Sequence, residues 1–522
     1  IKNKTVIQNE TEKEIIQNRV EDTVWVETDK IIAGISEKGA RIISIKMKDY
    51  NYSFGENEKN KVQIVDLISE NSQGAAQLKI DGNEYDNEMF EYVSDKDGII
   101  KVLKNDKVSL KFKYNDLIKE FVFEDGSYNI SLNVIKDNLS GKRVRIGWLA
   151  GINESELDST KHYTENKRVH YYDGQNVQHI EMKKIATEEL NGSYKWIGIT
   201  SKYFFVSLVS DNSDNNDIAI KAFKISNEKK NNLNYSISTE RTAENNKESF
   251  LIYAGPSKYK ELKNSDMKFE KILFPVMNFM KHFLWADSWF PWIAEIVLRF
   301  LLWLNTLVKD YGIAIILITI ISRIVTYPMT ASSTKSMSKM KDLSPKINAL
   351  RQRYKNNPQK MNEELMALYK AEGVNPLNPG CLPIFLQMPI FFALFVVLQK
   401  AIELRGASTI LIPWVSDLSK PEVLFSLKSI LPGGIPMYGS NVALMPILMA
   451  VLQFFQNKMT ITDPNQKAMI YLMPVIFLIM FNNLPAGLGL YWVFSSAIGI
   501  IQQIITNKSK KAVTVTVPAK RK

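Results

Sequence analysis

The sequence predicts a two-part protein: an all-β sandwich domain over residues 21–265, then an α-helical bundle of five membrane spans carrying a cytoplasmic helical hairpin. Three observations predict it. Up to about residue 265 the chain is polar, and apolar positions alternate with polar ones between turn clusters, the period of half-buried strands. From about Met267 apolar runs take over, several of them long enough as helices to cross a hydrocarbon layer of roughly 30 Å. The basic residues of the second half collect in short segments between those runs, which is the charge pattern of a membrane topology rather than of nucleic-acid binding.

At 522 residues the chain is too long for a single domain of about 150 residues. Its formal charge of +11 is read as attraction to an anionic leaflet, with no sequence-specific nucleic-acid partner. Cys381 is the only cysteine, so no intrachain disulfide is possible, and it reads as a small buried hydrophobe.

Residues 1–20, rich in Asn, Lys and Glu without periodicity, read as a flexible tether. Strands follow at 23–28, 40–47, 108–114 and 203–209, separated by the turn clusters Asp81-Gly-Asn, Asp97-Gly, Glu124-Asp-Gly-Ser and Asp211–Asn216. Many strands at this spacing imply a large sandwich. Residues 266–309 form a transition. The run 289–308 is long enough to span, but Glu295 and Arg299 lie one turn apart on one helical face, roughly in line with Thr306. That argues for a helix lying in the membrane interface with its aromatic face in lipid.

The membrane core, 310–506, contains spans at 311–327, 382–400, 442–455, 468–481 and 488–505. Residues 331–380 carry nine Lys or Arg against four acids, and the tail 507–522 carries six basic residues and no acid. The segment 405–438 is balanced. The positive-inside rule therefore places 331–380, 458–467 and the C-terminus in the cytoplasm. With the 289–308 helix interfacial, the β domain lies outside and requires an anchor before residue 1.

Arg323 lies within the first span. A guanidinium at that depth costs at least about 2.5–3.5 kcal/mol, so it either faces a polar cavity or, being near one end, snorkels along its own stem to the headgroups. Thr319 is one turn away and shares its face. On the cytoplasmic side, Met337, Met340, Leu343, Ile347, Leu350 and Tyr354 fall at helical spacing. Asn356-Asn-Pro358 interrupts, and Met361, Leu365 and Leu368 resume the pattern until Gly373, giving an αα-hairpin within 331–376. Its basic residues, including Lys339, Lys341, Lys346, Arg351 and Arg353, read either as a solvated face or, with Lys508, Lys510 and Lys511, as a contact for the ribosome or its targeting machinery.

The ordered blocks Ile318–Pro328, Lys339–Ile347, Met366–Pro376, Gly380–Phe392, Met473–Phe477 and Leu484–Trp492 resemble the YidC membrane-protein insertases of the Oxa/Alb family. They cover nearly all of 310–505. The β domain is similar to the periplasmic supersandwich of the Gram-negative form, although the first transmembrane helix of that form has no counterpart here. The resemblance implies an insertase that receives nascent hydrophobic segments in a hydrophilic intramembrane groove and releases them into the bilayer, alone or with the Sec translocon and its accessory subunits. The signal recognition particle receptor is a further partner it implies. It places the protein in the bacterial inner membrane and Arg323 in the groove. Gln387, Gln453 and Ser495 are candidates for the polar wall, each of which could equally be an interhelical hydrogen-bond pair. Gln453 stands where other members can carry an apolar residue. Met388, Phe391, Phe477 and Trp492 align with positions along which client helices slide, and plain packing is the alternative for each.

No catalytic or metal pattern is present, since the four histidines lack ligand spacing and no Walker loop, zincin motif or serine elbow occurs. No cofactor is expected. The competing classes are a transporter, against which the absence of internal symmetry counts, and a membrane-anchored periplasmic ligand-binding receptor, which would leave Arg323 unexplained.

Overall fold

The computed structural model describes residues 23–53, 61–69, 72–93, 99–157, 167–180, 182, 184–210, 217–224, 233–274, 286–373, 382–427, 430–431, 434–435, 438–460 and 467–514. The predicted tether 1–20, the turns Asp97-Gly and Asp211–Asn216, and Cys381 lie outside the described residues, as do the side chains of Met337, Met340, Lys341, Lys508, Lys510 and Lys511. The chain forms two compact units, Ile1–Ile272 and Leu273–Lys522.

The first unit is built from an eleven-stranded and a nine-stranded sheet. In the nine-stranded sheet Phe204–Ser210, Lys247–Pro256, Asn129–Lys136, Leu117–Glu124 and Lys107–Tyr114 are consecutive neighbours. Burial alternates strictly along Leu117–Glu124, whose Leu117, Lys119, Phe121 and Phe123 point inward. The four strands read from sequence are present as Thr23–Glu27, Arg41–Asn51, Lys107–Tyr114 and Phe204–Ser210. Asp81 and Gly82 both adopt positive φ, 46° and 86°, as a tight hairpin between Ala75–Ile80 and Asn83–Glu84 demands. Trp148, Trp196, Tyr203, Tyr235, Phe121 and Phe204 are fully buried, each contributing about 1.5–3 kcal/mol or more through lost water contact.

Sequence periodicity puts Lys119 on the core face, and the structure shows how that is tolerated. Its Nζ donates to the carbonyls of Gly39, Ala40 and Ala76 at 2.9, 2.7 and 2.6 Å, tying one sheet to the other. All three ammonium protons are thereby used. At the end of the domain a short helix, α1 (Tyr259–Lys263), leads to Phe269, whose ring packs against Trp196, Phe205 and Tyr253 at 5.1–5.5 Å.

The second unit is helical: α2 (Ala286–Val308), α3 (Tyr311–Arg353), α4 (Pro358–Ala371), α5 (Leu382–Lys400), α6 (Leu444–Thr460), α7 (Lys467–Phe481) and α8 (Ala486–Thr514). Helix α3 packs on α8, α2 and α5, while α6 packs on α7 and α8. A helix occupies each of the five predicted spans. By length and composition, Trp289–Val308, Tyr311–Ser332 and Ala486–Ile505 are apolar enough to cross a membrane, and Gln387–Lys400 and Ala468–Phe481 are shorter apolar helices.

Three details differ from the sequence reading. The first span does not end near Tyr327, because α3 runs unbroken for 43 residues through Pro328 and Pro345 and becomes the first limb of the hairpin. A proline removes one backbone hydrogen bond, and here the apolar stripe continues on both sides of it. Leu343 and Ile347 of α3 close on Leu365 of α4, with Leu350, Met361 and Leu368 packed around them. Helix α8 likewise continues to Thr514, through the first basic residues of the predicted tail. On α2, finally, polar and aromatic groups do not segregate to opposite faces. Phe290, Ala294, Leu298 and Leu301 are buried, while Trp292, Trp303 and Arg299 share the exposed side. Packing on α3 and α5 has taken the apolar stripe.

Candidate functional site

Apolar residues make α3 a stable helix in either a protein core or lipid, and a file of hydroxyls runs along it. Thr319 donates to the Ile315 carbonyl at 2.7 Å, Ser322 to Thr319 at 2.8 Å, Thr326 to Ser322 at 2.8 Å and Thr330 to Thr326 at 2.6 Å. This back-bonding consumes each hydroxyl proton within the helix.

Arg323 stands in this file, 8% exposed. Its Nε donates to Ser495 Oγ of α8 at 2.9 Å, a contact between residues 172 apart in sequence. Its guanidinium lies against Gly499, where an added Cβ would meet it at 3.5 Å. Gln387 of α5 completes the cluster: its Nε2 donates to Tyr491 Oη at 3.2 Å and to Ser495 Oγ. The side chain is therefore directed across the bundle and does not snorkel along its own stem. Among the described residues no carboxylate forms an ion pair with it. A buried guanidinium satisfied only by neutral acceptors is a net cost of several kcal/mol to the fold.

Ser322, Arg323, Thr326, Thr330, Gln387, Ile390 and Tyr491 line a small, partly open cleft. Of the predicted wall residues, Arg323, Gln387 and Ser495 come together. Thr319 is fully buried one turn away. Gln453 does not join them in the described contacts, since its Nε2 bonds Asn457 Oδ1 on its own helix at 3.0 Å. Tyr491, Thr326 and Thr330 were missed. The spacing Thr319, Arg323, Thr326, Thr330 keeps to one helical face, as do Tyr491, Ser495 and Gly499, and following either face past its first member would have found them.

The four residues aligned with client contact converge in part. Phe391, Phe477 and Trp492 form one aromatic cluster with Phe481, the Phe391–Trp492 and Phe477–Trp492 centroids lying 5.1 and 5.5 Å apart. Phe391 is buried, whereas Met388, Phe477 and Trp492 are half-buried. The Trp492 indole N–H has no partner among the described residues.

On the hairpin, Lys339 and Arg353 are exposed and Lys346 pairs with Glu372 at 2.7 Å. Arg353 and Lys360 both approach the Tyr354 ring at 5.7 Å. Arg351 is half-buried. Among the described residues no group of three or more His, Cys, Asp or Glu is placed to hold a metal ion.

Both halves of the chain match known family profiles. A family profile described as "YidC periplasmic domain" matches residues 23–298, and one described as "60Kd inner membrane protein" matches 303–513. The membrane protein insertase YidC of Chloroherpeton thalassium is 31% identical over 96% of this chain and 85% of its own length. That of Chlorobium limicola is 33% identical over 94% and 83%. The crystal structure of an active YidC insertase with its first transmembrane domain resolved aligns at 20% identity and a TM-score of 0.39, covering 94% of this chain and 93% of that one. With both halves of the chain matched in order, and relatives aligned across nearly its whole length, the chain belongs to the YidC family of membrane protein insertases of the bacterial inner membrane.

Proposed function

We propose that the cleft around Arg323 is where a nascent segment's polar tail is received, and that the apolar segment then passes along the Met388, Phe391, Phe477 and Trp492 surface into lipid. The observation that carries this reading is a buried guanidinium bonded to Ser495 with no acidic partner among the described residues. A stabilising group would be paired. An unpaired cation beside a file of hydroxyls is instead prepared for an incoming anion or polar backbone. The cleft shortens the apolar path that a polar tail must cross. The driving force is partitioning of the client's apolar surface, about 25 cal/mol per Å², aided by the membrane potential at about 2.3 kcal/mol per charge per 100 mV. No cofactor enters this account.

In the same reading residues 1–20 are a tether, 21–265 the external β domain, 266–309 an interfacial region around α2, 310–506 the insertase core and 507–522 a cytoplasmic tail. The charge asymmetry of the connecting segments supports this orientation. The exposed basic residues Lys339 and Arg353, with Lys341, Lys346, Arg351, Lys508, Lys510 and Lys511, are the contact residues for the ribosome, the targeting receptor or anionic lipid, and the Sec translocon is a partner for longer clients. The test is insertion of a short single-spanning client into liposomes containing only this protein. Protease-protected client above the level of empty liposomes is expected, and none above that level overturns the reading.

A further inference from the structure

The connection from α5 to α6, residues 401–443, is built inside out. Its carboxylates face inward. Glu422, 3% exposed, accepts from Trp414 Nε1 at 2.6 Å and from the Met445 N–H at the start of α6 at 2.8 Å. Asp417 is buried and accepts from the Ser419 N–H and hydroxyl at 2.9 and 2.6 Å. Asp310 accepts from the Ile313 N–H at the start of α3 and from the Ile410 N–H of the connection, at 3.0 and 2.9 Å. Gly312 is packed so closely under Thr409 that only glycine fits. The carbonyls of Leu418 and Lys420 accept from the Gly487 and Ala486 N–H groups, at 3.0 and 2.8 Å, at the start of α8. The connection thus satisfies unpaired N–H groups at the beginnings of two helices, α6 and α8, and its Ile410 N–H holds Asp310, the cap of α3.

Its outward face is apolar. Ile410 is 75% exposed and Ile430 76%, and Leu411, Trp414, Phe425 and Leu431 are exposed with them. Among the described residues of 406–435 no charged side chain is exposed. Lys420 is drawn onto Asp417 at 3.6 Å. In water this arrangement is unfavourable, because apolar patches of this kind mark a surface that something covers. Along the chain the face leads into α6, where Ile447, Leu448, Val451 and Phe455 are exposed apolar residues, and it presents a tryptophan, a residue concentrated at the boundary of headgroups and acyl chains.

We propose that the outward face of residues 406–427, with Ile430 and Leu431, is a lipid-binding surface that lies in the headgroup–acyl boundary of the outer leaflet, its pinned inner side capping the helix bundle. The partner is a phospholipid monolayer, bound through buried apolar area and not through charge. The assignment to the outer leaflet rests on the orientation proposed above; the lipid contact does not.

The test is collision accessibility of a spin label placed singly at Ile410, Phe425 and Ile430 of the full chain, with Cys381 replaced, in bilayers. Molecular oxygen concentrates in lipid and a neutral nickel chelate in water. Exposed Lys104 of the β domain gives the aqueous reference and exposed Ile501 on α8 the lipid reference. The expected result is a ratio of oxygen to nickel collisions several-fold above that of Lys104 and approaching that of Ile501, in neutral as well as anionic lipid. A ratio like that of Lys104 overturns the proposal. So does exclusion of both agents, which would mean a protein partner covers the face. A chelate attached to lipid headgroups of one leaflet reports the side. Lipid-like labels relaxed only from the cytoplasmic leaflet would refute the orientation while leaving the lipid contact intact.

Discussion

Replacing Arg323 with glutamine removes its charge while retaining a donor long enough to reach Ser495, so it separates electrostatics from packing. A client carboxylate in contact with the guanidinium, about 4 Å away, would gain roughly 4 kcal/mol at an effective dielectric of 20. Part of this is lost in stripping water from both ions, and the net worth of a hydrogen bond to a charged group is about 1.5–3 kcal/mol. Insertion of a client with an acidic tail should therefore slow about ten- to a hundredfold in Arg323→Gln, since each 1.4 kcal/mol is a factor of ten. Arg323→Lys keeps the charge but loses the planar fork that spans Ser495 and the Gly499 face, and should fall between. The assay is the initial rate of protease protection in proteoliposomes at matched protein content, run beside a client whose tail acids are changed to amides. That second client should be almost indifferent to the substitution. Equal rates for Arg323→Gln and the unaltered protein on the acidic client would refute the reasoning, and an equal loss on both clients would show that Arg323 supports the bundle instead.

Burial pushes the Lys119 ammonium down from 10.5 to about 7. Above that pH the folded domain gives up a proton that the unfolded chain keeps to about 10.5, so stability should rise with pH across this window by at most about 1.4 kcal/mol per unit. Lys119→Met should flatten that rise and, by stranding three carbonyls, lower stability by several kcal/mol at about 1–3 each, both readable in urea titrations followed by tryptophan fluorescence. The same rise in the Met variant would exclude Lys119 as its source. Gln453→Leu should leave insertion unchanged, because its bond to Asn457 is internal to α6; a loss as large as that of Arg323→Gln would put Gln453 in the groove. Deleting residues 508–522 should weaken ribosome co-sedimentation in detergent, with added salt mimicking the deletion, and unchanged binding would assign the tail to lipid. A cysteine at exposed Lys104, in protein lacking Cys381, should react with an impermeant reagent from outside and one at exposed Lys355 should not; reaction of both from one side would make α2 a span and the β domain cytoplasmic.

Some of the site was legible in sequence because it is written in local spacing. Thr319 and Arg323 are one turn apart, and a charged residue in an apolar run stands out without any partner. Gln387 was legible only through the motif block Gly380–Phe392, and Ser495, which lies beyond the last block, only as a polar residue in a span the resemblance covers. Tyr491, Thr326 and Thr330 were not read, because a hydroxyl on a long apolar helix looks the same whether it faces lipid, a neighbouring helix or a cleft. Gln453 shows the converse. A glutamine in a span looks like part of a polar wall until its partner is seen to be Asn457, one turn along the same helix.

By itself the sequence determined the division into a β half and an apolar helical half, the inward face of each strand and the charge asymmetry of the connections. Each depends on periodicity or composition over a few neighbouring residues. Tertiary structure decided what those elements meet. It turned Arg323 across the bundle to Ser495, seated Lys119 on three carbonyls of the opposite sheet, carried α3 through two prolines and set the carboxylates of residues 401–443 inward. The reason is that such contacts join residues far apart in the chain, and their free energy depends on solvent exclusion and hydrogen-bond partners that exist only after the elements have packed.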